Sequence, residues 1–127
     1  MKRAFTLAET IFATFVLALV MMTLFNIFPS SALAVKRGEM QLLADSVAEA
    51  HLEQQRAMAF DSLAIAAESY LPDQDLKGLH FKPSLTISAV PGSDVDRLKS
   101  VNVNVYWSFR ERNYKVSHEA WIVKVGE

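Results

Sequence analysis

The chain contains an uninterrupted stretch of 26 residues, 10–35, in which no side chain is charged. Its most apolar part, 11–28, consists largely of Phe, Leu, Ile, Val and Met. A helix needs about 20 apolar residues to cross the hydrocarbon core of a bilayer. The stretch therefore predicts a membrane-spanning helix, and only the residues that follow it can form a water-exposed domain.

A short basic segment and a single carboxylate precede this stretch. Lys2 and Arg3 are followed by Ala-Phe-Thr-Leu-Ala-Glu at residues 4–9, which places Glu9 at the edge of the apolar region. A carboxylate near hydrocarbon is costly unless it stays at the interface or finds a cation. We therefore expect Glu9 to lie at the interface or to pair with a positive charge.

This arrangement closely resembles the processing signal of type IV pilins and pseudopilins, which assemble into helical filaments from the inner membrane. The resemblance implies that a prepilin peptidase cuts between Ala4 and Phe5 and that the new amino terminus at Phe5 is N-methylated. It also implies that Glu9 pairs with the amino terminus of an adjacent subunit and sets the axial register. Ala4 departs from the family pattern, which usually has Gly before the cut.

The same resemblance predicts what the protein does and where. It implies a structural subunit, a minor pilin or minor pseudopilin, of a type II secretion system, a type IV pilus or a DNA-uptake apparatus. Its partners would be other pilin or pseudopilin subunits, the inner-membrane assembly platform and the prepilin peptidase. The expected location is a single pass through the inner membrane, with the amino terminus in the cytoplasm and the head outside, followed by the filament.

Two alternatives remain open at this point. A secretory signal peptide ends in small residues, and Ala32 and Ala34 fit that pattern, so signal peptidase could release a soluble exported binding domain after Ala34. The apolar stretch exceeds the 7–15 residues of a signal peptide, however, and Glu9 interrupts its beginning. The other alternative is an enzyme or sensor held by one membrane anchor.

Beyond the apolar stretch, an amphipathic pattern predicts that the helix continues to about residue 62. Met40, Leu43, Val47 and Ala50 recur at steps of three and four, as on the buried face of a surface helix. One nearly continuous helix over 7–62 is expected, with a bend at Pro29 and Gly38.

The remainder predicts a small antiparallel sheet. Residues 66–80 are expected to form a loop, and residues 84–90, 101–109 and 114–125 to form three strands. The alternation of the last strand slips between Ala120 and Val123, which indicates a bulge or a strand end covered on both faces. The predicted fold class is α+β: a long N-terminal helix, membrane-spanning in its first half, packed through its amphipathic second half on a C-terminal antiparallel sheet, as in pilins.

The predicted organisation has three parts: a leader at 1–4, a transmembrane or filament-core helix at 5–35, and an exported head at 36–127. One domain is expected at this length, and the chain has no cysteine for a disulfide or a thiol site. Loss of Lys2 and Arg3 with the leader would move the formal charge from −1 to −3. No basic stripe with interleaved aromatic residues indicates direct nucleic-acid binding.

Candidate chemical groups in the head are scattered. No nucleophile or phosphate loop accompanies the three histidines, which are His51, His80 and His118. We therefore predict neither an enzyme nor a cofactor. Two pairs of alternating acids, Asp73 with Asp75 and Asp94 with Asp96, have oxygen ligands of the type that calcium prefers, but each pair is too short for a dedicated loop. Solvated turns are the favoured interpretation, and no metal site is predicted. Trp107 and Trp121 are predicted to pack in the sheet.

Overall fold

The computed structural model describes residues 4–126. The backbone divides into a unit that ends at Gly38 and a unit that begins at Glu39, which we call the anchor segment and the head. Residues 1–3, which carry most of the predicted leader, lie outside the described range.

A single α-helix, α1, extends over Leu7–Ala57 and continues through Pro29 and Gly38 without ending at either. Within the described residues, it is the one helix long and apolar enough to cross a membrane, judged by length and composition. The large apolar side chains of the anchor segment are exposed, for example Phe25 at 76 % and Phe28 at 71 %. They are therefore available to lipid or to other helices.

The carboxyl end of α1 lies at Ala57, five residues before the predicted end. Ala59 adopts an extended conformation, and a 3₁₀ turn follows over Phe60–Ser62. The hydroxyl of Ser62 donates a hydrogen bond to the carbonyl of Ala59 at 2.6 Å, which stabilises this turn. No glycine or proline marks the helix end in the sequence, so composition alone could not place it.

The head segment of α1 buries one face against the sheet. Its fully buried residues follow steps of three and four: Met40, Ala44, Val47, Ala48 and Leu52. Met40 and Val47 confirm the predicted stripe, whereas Ala50 is exposed and Leu43 only half-buried. The buried stripe is rotated from the predicted one, and it includes two fully buried alanines, Ala44 and Ala48.

The sheet has five antiparallel strands rather than three. They are β1 (Ala66–Tyr70), β2 (Gln74–Leu76), β3 (Leu79–Ala89), β4 (Leu98–Phe109) and β5 (Arg112–Val123). The order is β1-β3-β4-β5, and β2 pairs with β3. The loop predicted for 66–80 was wrong because β1 and β2 lie in it. All five residues of β1 are exposed, so this edge strand is held by backbone pairing and has no apolar alternation to detect.

The hairpin formed by β4 and the edge strand β5 is regular along its full length. Its register runs unbroken from Leu98 paired with Val123 to Phe109 paired with Arg112. Both predictions for Ala120 to Val123 are therefore wrong: the register has no bulge there, and the strand end is not covered on both faces, because Trp121 and Val123 are exposed. A register shift occurs instead in β1, between Ala66 and Ser69. The alternation is irregular there because the β5 residues that face away from α1 include apolar side chains.

The core lies between the head segment of α1 and one face of the sheet. The predicted alternation of β4 is confirmed, since Val101, Val103, Val105 and Trp107 are all buried. Trp107 stacks on Tyr114 with ring centroids 5.6 Å apart. Trp121, predicted to pack in the sheet, is 63 % exposed because it faces away from the helix.

Lys99 shares this core-facing side of β4 although it carries a charge. Its side chain is buried, and its ammonium donates hydrogen bonds to the carbonyls of Leu63 at 2.6 Å and Phe60 at 3.3 Å. The same nitrogen lies 4.4 Å from the centroid of the Phe60 ring. Lys99 thus ties the chain that leaves the helix to the sheet.

Candidate functional site

The residues predicted to be processed lie just ahead of the helix. Ala4, Phe5 and Thr6 have no regular secondary structure and are exposed, with Phe5 at 87 %. The Ala4–Phe5 peptide bond therefore takes no part in the hydrogen bonds of α1. An exposed, non-helical segment is the kind of backbone that a peptidase can reach.

Glu9 and Thr6 together cap the amino terminus of α1. The Thr6 backbone N–H donates to Glu9 Oε2 at 2.8 Å, and the Thr6 hydroxyl donates to the same oxygen at 3.1 Å. In return, the Glu9 backbone N–H donates to Thr6 Oγ1 at 3.3 Å. This reciprocal pattern is a capping box, in which two otherwise unpaired N–H groups at the helix start are satisfied. The negative charge also suits the positive end of the helix dipole.

The capping box was not anticipated from the sequence, although its signal was present. Thr-x-x-Glu immediately before an apolar run is the sequence signature of such a cap. The structure brings Thr6 and Glu9 together, and it places Ala4 and Phe5 directly before them in the chain. The Glu9 carboxylate therefore already bonds to its own helix. Pairing with another subunit, as predicted, would have to occur alongside these bonds or replace them.

Polar side chains within the anchor segment bond to the helix that carries them. The hydroxyl of Thr14 donates to the carbonyl of Thr10 at 2.7 Å, and that of Thr23 to Val20 at 2.7 Å. The Asn26 amide donates to the carbonyl of Met22 at 3.0 Å. Side-chain donors that are satisfied within the helix need no water, and this is the condition for placing them in hydrocarbon.

Near Pro29, side-chain hydroxyls again donate hydrogen bonds to carbonyls of their own helix. Proline supplies no N–H, so the carbonyl of Phe25, four residues earlier, lacks its helical donor. The nearby serine hydroxyls bond to a different carbonyl. Ser30 and Ser31 both donate their hydroxyls to the carbonyl of Ile27, at 2.8 Å and 3.0 Å. The apolar helix therefore contains a short polar segment around Pro29, whose serine hydroxyls are bonded within the helix.

In the head, each of the three histidines has a polar partner. His118 contacts Asp45 at 2.9 Å and Glu49 at 3.3 Å, which links β5 to α1. His51 contacts the amide of Gln74 at 3.3 Å. These contacts connect elements of the fold, and they assemble no nucleophile with a base among the described residues.

His80 lies between the two aspartates of the β1–β3 connection. Its Nδ1 is 2.5 Å from Asp75 Oδ1, and its Nε2 is 2.8 Å from Asp73 Oδ2. The hydrogen bond to Asp75, followed by that to Asp73, raises the pKa of His80 above its ordinary value. The carboxylates meet opposite nitrogens of one ring, so they do not converge on a common point where a cation could sit.

This contact predicts a pH-dependent stability. A histidine with a raised pKa in the folded state stabilises that state fully below its unfolded pKa, and the contribution disappears as pH rises through the folded pKa. We expect His80→Gln to lower the melting temperature at about pH 5.5 and to have much less effect at about pH 9. Thermal melts of both proteins across this range measure the difference. An equal effect at both pH values would contradict the charged contact.

The other acid pair forms a turn. The Asp94 carboxylate accepts a hydrogen bond from the Asp96 N–H at 3.0 Å, and its backbone carbonyl accepts from Arg97 and Leu98. No group of three or more His, Cys, Asp or Glu side chains with the arrangement of a metal site occurs within residues 4–126. Asp94 is therefore occupied in holding the β3–β4 turn.

The outer face of the sheet carries a polar cluster. Glu68 accepts hydrogen bonds from Ser84 at 2.7 Å and from Tyr106 at 2.9 Å. The bond from Ser84, followed by that from Tyr106, lowers the pKa of Glu68, and the bond to Glu68 raises the pKa of Tyr106. An open groove of about 450 Å³ lies beside this cluster. In this cluster, neutral hydroxyls donate to a charged carboxylate. Such an arrangement is more suited to holding β1 against the sheet than to transferring a proton.

Comparison with known proteins returns no relative. No protein-family model matches the chain, and searches of curated proteins and of solved structures find no match.

Proposed function

We propose that the protein is a structural subunit, a minor pilin or minor pseudopilin, of a type IV filament system such as a type II secretion system, a type IV pilus or a DNA-uptake apparatus. The observation that carries this proposal is the start of α1. A carboxylate, Glu9, stands at the first turn of an exposed apolar helix, directly behind a non-helical Ala4–Phe5 bond.

The work of such a subunit is mechanical. Assembly exchanges lipid contacts of the anchor segment for contacts with other helices, and its exposed apolar side chains can serve in both settings. A carboxylate moved into that environment favours a cationic partner. The amino terminus of a neighbouring subunit, freed at Phe5, supplies one, so Glu9 sets the axial position of the incoming subunit.

This proposal fixes location and partners. The precursor crosses the inner membrane once, with its amino terminus in the cytoplasm and its head outside. A prepilin peptidase cuts it there, and the assembly platform adds it to other pilin or pseudopilin subunits. The alternative, release of a soluble exported domain after Ala34, requires cleavage inside α1, because Ala34 lies within Leu7–Ala57.

Intact-mass measurement of the protein extracted from its native membrane tests the processing step. The proposal expects a chain that begins at Phe5 and carries one added methyl group. A chain that begins at Val35 would support the soluble alternative, and one that retains Met1 would support a plain membrane anchor. Either of these two results would contradict the proposal.

The role of Glu9 in assembly requires a variant that spares the helix cap. Glu9→Gln keeps the side-chain acceptor of the capping box and removes the charge, whereas Thr6→Ala weakens the cap and keeps the charge. We expect Glu9→Gln to insert normally and to lose most of its incorporation into filaments, measured as the fraction of subunit in sheared filaments.

Thr6→Ala is the matched control for that measurement. Loss of an N-cap costs a helix about 1 kcal/mol, which a long membrane helix tolerates, so incorporation should remain near that of the wild type. If Thr6→Ala lowers incorporation as much as Glu9→Gln, the carboxylate acts through the cap and the proposed pairing is wrong.

A further inference from the structure

Asn26 is the one carboxamide in the uncharged stretch, and its hydrogen-bonding groups are only partly used. Its side-chain nitrogen donates to the carbonyl of Met22 at 3.0 Å. A carbonyl accepts only from a donor, so this bond fixes which end of the amide faces the helix backbone. One N–H and the acceptor Oδ1 remain, and within residues 4–126 no group bonds to either.

The hydroxyls of the same stretch differ from Asn26 in this respect. A hydroxyl has a single hydrogen, and each of these hydroxyls donates it to a carbonyl of α1 or of the residue that caps it. The residues are Thr10, Thr14, Thr23, Ser30 and Ser31. Asn26 is therefore the side chain of the stretch that keeps an unused donor.

The position of Asn26 in the span places it in hydrocarbon. It lies 16 residues after Thr10 and nine before Val35, which are the two ends of the uncharged stretch. At about 1.5 Å per residue, these separations are about 24 Å and about 14 Å. A hydrocarbon core of about 30 Å that begins at either end of the stretch therefore contains residue 26. Water does not satisfy polar groups at such a depth, so the unused donor and acceptor are costly there.

The partner that best fits these groups is a second copy of the chain. A carboxamide with one free N–H and one free oxygen is complementary to another of the same kind, because each can donate to the other. Copies that insert in the same direction also carry residue 26 at the same depth. A different membrane helix would need a polar side chain at that depth to make the same contact.

The face of α1 that carries Asn26 is otherwise suited to packing against another helix. Residues seven apart lie on nearly the same face of a helix, and steps of three and four complete the seam between two paired helices. On this face, Asn26 is preceded by exposed apolar side chains: Phe12, Phe15, Leu19 and Met22. A single Asn at such a position in an apolar seam fixes the register of paired helices.

We infer that two copies of this chain pair in the bilayer through their Asn26 side chains, with the free N–H of each donating to Oδ1 of the other. The inference rests on the membrane span within the proposed function, and it adds a residue and a partner for a contact inside the membrane. It requires neither processing at Phe5 nor assembly of a filament.

Disulfide cross-linking tests which face of α1 meets the second copy, because the chain has no cysteine of its own. Leu19→Cys places a thiol on the Asn26 face, and Leu17→Cys places one about half a turn away at nearly the same depth. The purified full-length variants are reconstituted in liposomes and oxidised. We expect a cross-linked dimer for Leu19→Cys and little for Leu17→Cys, whereas equal cross-linking of the two would overturn the inference.

The contribution of the Asn26 amide is measured as a dissociation constant in the bilayer. Ser108→Cys supplies an exposed thiol on the head for donor and acceptor dyes, and energy transfer is followed as the protein is diluted with lipid. Polar contacts of this kind strengthen the association of model membrane helices roughly 5- to 30-fold. Asn26→Leu, which keeps an apolar side chain of similar size, should therefore raise the dissociation constant by that factor.

Thr14→Val is the matched control for Asn26→Leu. It also removes a polar group from the anchor segment, but the Thr14 hydroxyl is bonded to the carbonyl of Thr10 and lies on a different face of α1. Its dissociation constant should equal that of the wild type. An unchanged constant for Asn26→Leu, or an equal loss in both variants, would overturn the inference.

Two further outcomes separate this inference from the proposed function. Protein that fails to float with liposomes would contradict the membrane span and, with it, both proposals. Inserted protein that stays monomeric at high protein-to-lipid ratio would contradict the pairing alone. Inserted protein that pairs through Asn26 but forms no filaments in its native membrane would contradict only the proposed function.

Discussion

Replacement of Phe81 by alanine is expected to destabilise the head by about 3–5 kcal/mol, the usual range for a buried Phe truncated in a packed core. Phe81 is fully buried on β3, and its ring lies 5.9 Å from that of Trp107. Small domains are stable by only about 5–15 kcal/mol, and no disulfide supports this one. The loss therefore removes a large share of the total stability.

Denaturant unfolding of the full chain in detergent, followed by the fluorescence of the buried Trp107, measures this effect. Val125→Ala is the matched control because Val125 is 95 % exposed, and surface changes of this kind usually stay within about 0.5 kcal/mol. A loss below about 1 kcal/mol for Phe81→Ala would mean that the site collapses around the missing ring or that the core is packed differently.

Replacement of Lys99 by methionine is the second change with a large expected effect. Methionine is also a long, unbranched side chain but donates no hydrogen bond, so the carbonyls of Leu63 and Phe60 would lose the ammonium that they now contact. The Phe60 carbonyl would keep the bond from the Leu63 N–H, whereas the buried Leu63 carbonyl would lose the bond from Lys99, and a buried acceptor left without a partner costs about 1–3 kcal/mol. We expect a loss of that size in the free energy of unfolding, measured in the same detergent assay.

Lys124 provides the control for Lys99. Its ammonium lies 6.0 Å from the same Phe60 ring and 3.0 Å from Asp61, but its side chain is 42 % exposed. A surface ion pair contributes about 0–1 kcal/mol, so Lys124→Met should cost little. Equal losses in the two variants would indicate that the cation–ring contact matters, and that the buried hydrogen bonds do not.

The sequence predicts well the elements whose side chains follow a simple period. The uncharged stretch predicts the long helix, and the alternation from Val101 to Trp107 predicts β4 and its buried face. The turn at 91–94 was also recognisable, since Pro91 and Gly92 are typical of positions i+1 and i+2 of a type II turn. Gly92 indeed has φ 81°.

The elements that the sequence did not predict depend on interactions that the spacing of apolar residues does not reveal. β1 is a strand because its backbone pairs with β3, although all of its side chains are exposed. Lys99 occupies a core-facing position, where its ammonium donates hydrogen bonds to two carbonyls from a distant part of the chain. Arg110 and Glu111 form a tight turn without glycine or asparagine, so turn chemistry gives no signal there.

The candidate site was only partly predictable for a related reason. The Ala4–Phe5 bond and Glu9 were identified by resemblance to a family. The cap formed by Thr6 and Glu9 is local, and its sequence signature could have been recognised. Resemblance drew attention to the carboxylate as a partner for another subunit, so its bond to its own helix was overlooked.

The start of α1 has a consequence for the proposed processing. The Ala4–Phe5 bond precedes every hydrogen bond of the helix, so its hydrolysis would leave the first turn intact. The cut would turn a neutral amide into an ammonium group one residue before Thr6, whose N–H already contacts Glu9. Maturation would then alter the electrostatics of the helix tip while its shape stayed constant. In each processed subunit, its own amino terminus would compete with the amino terminus of an incoming neighbour for the carboxylate of Glu9.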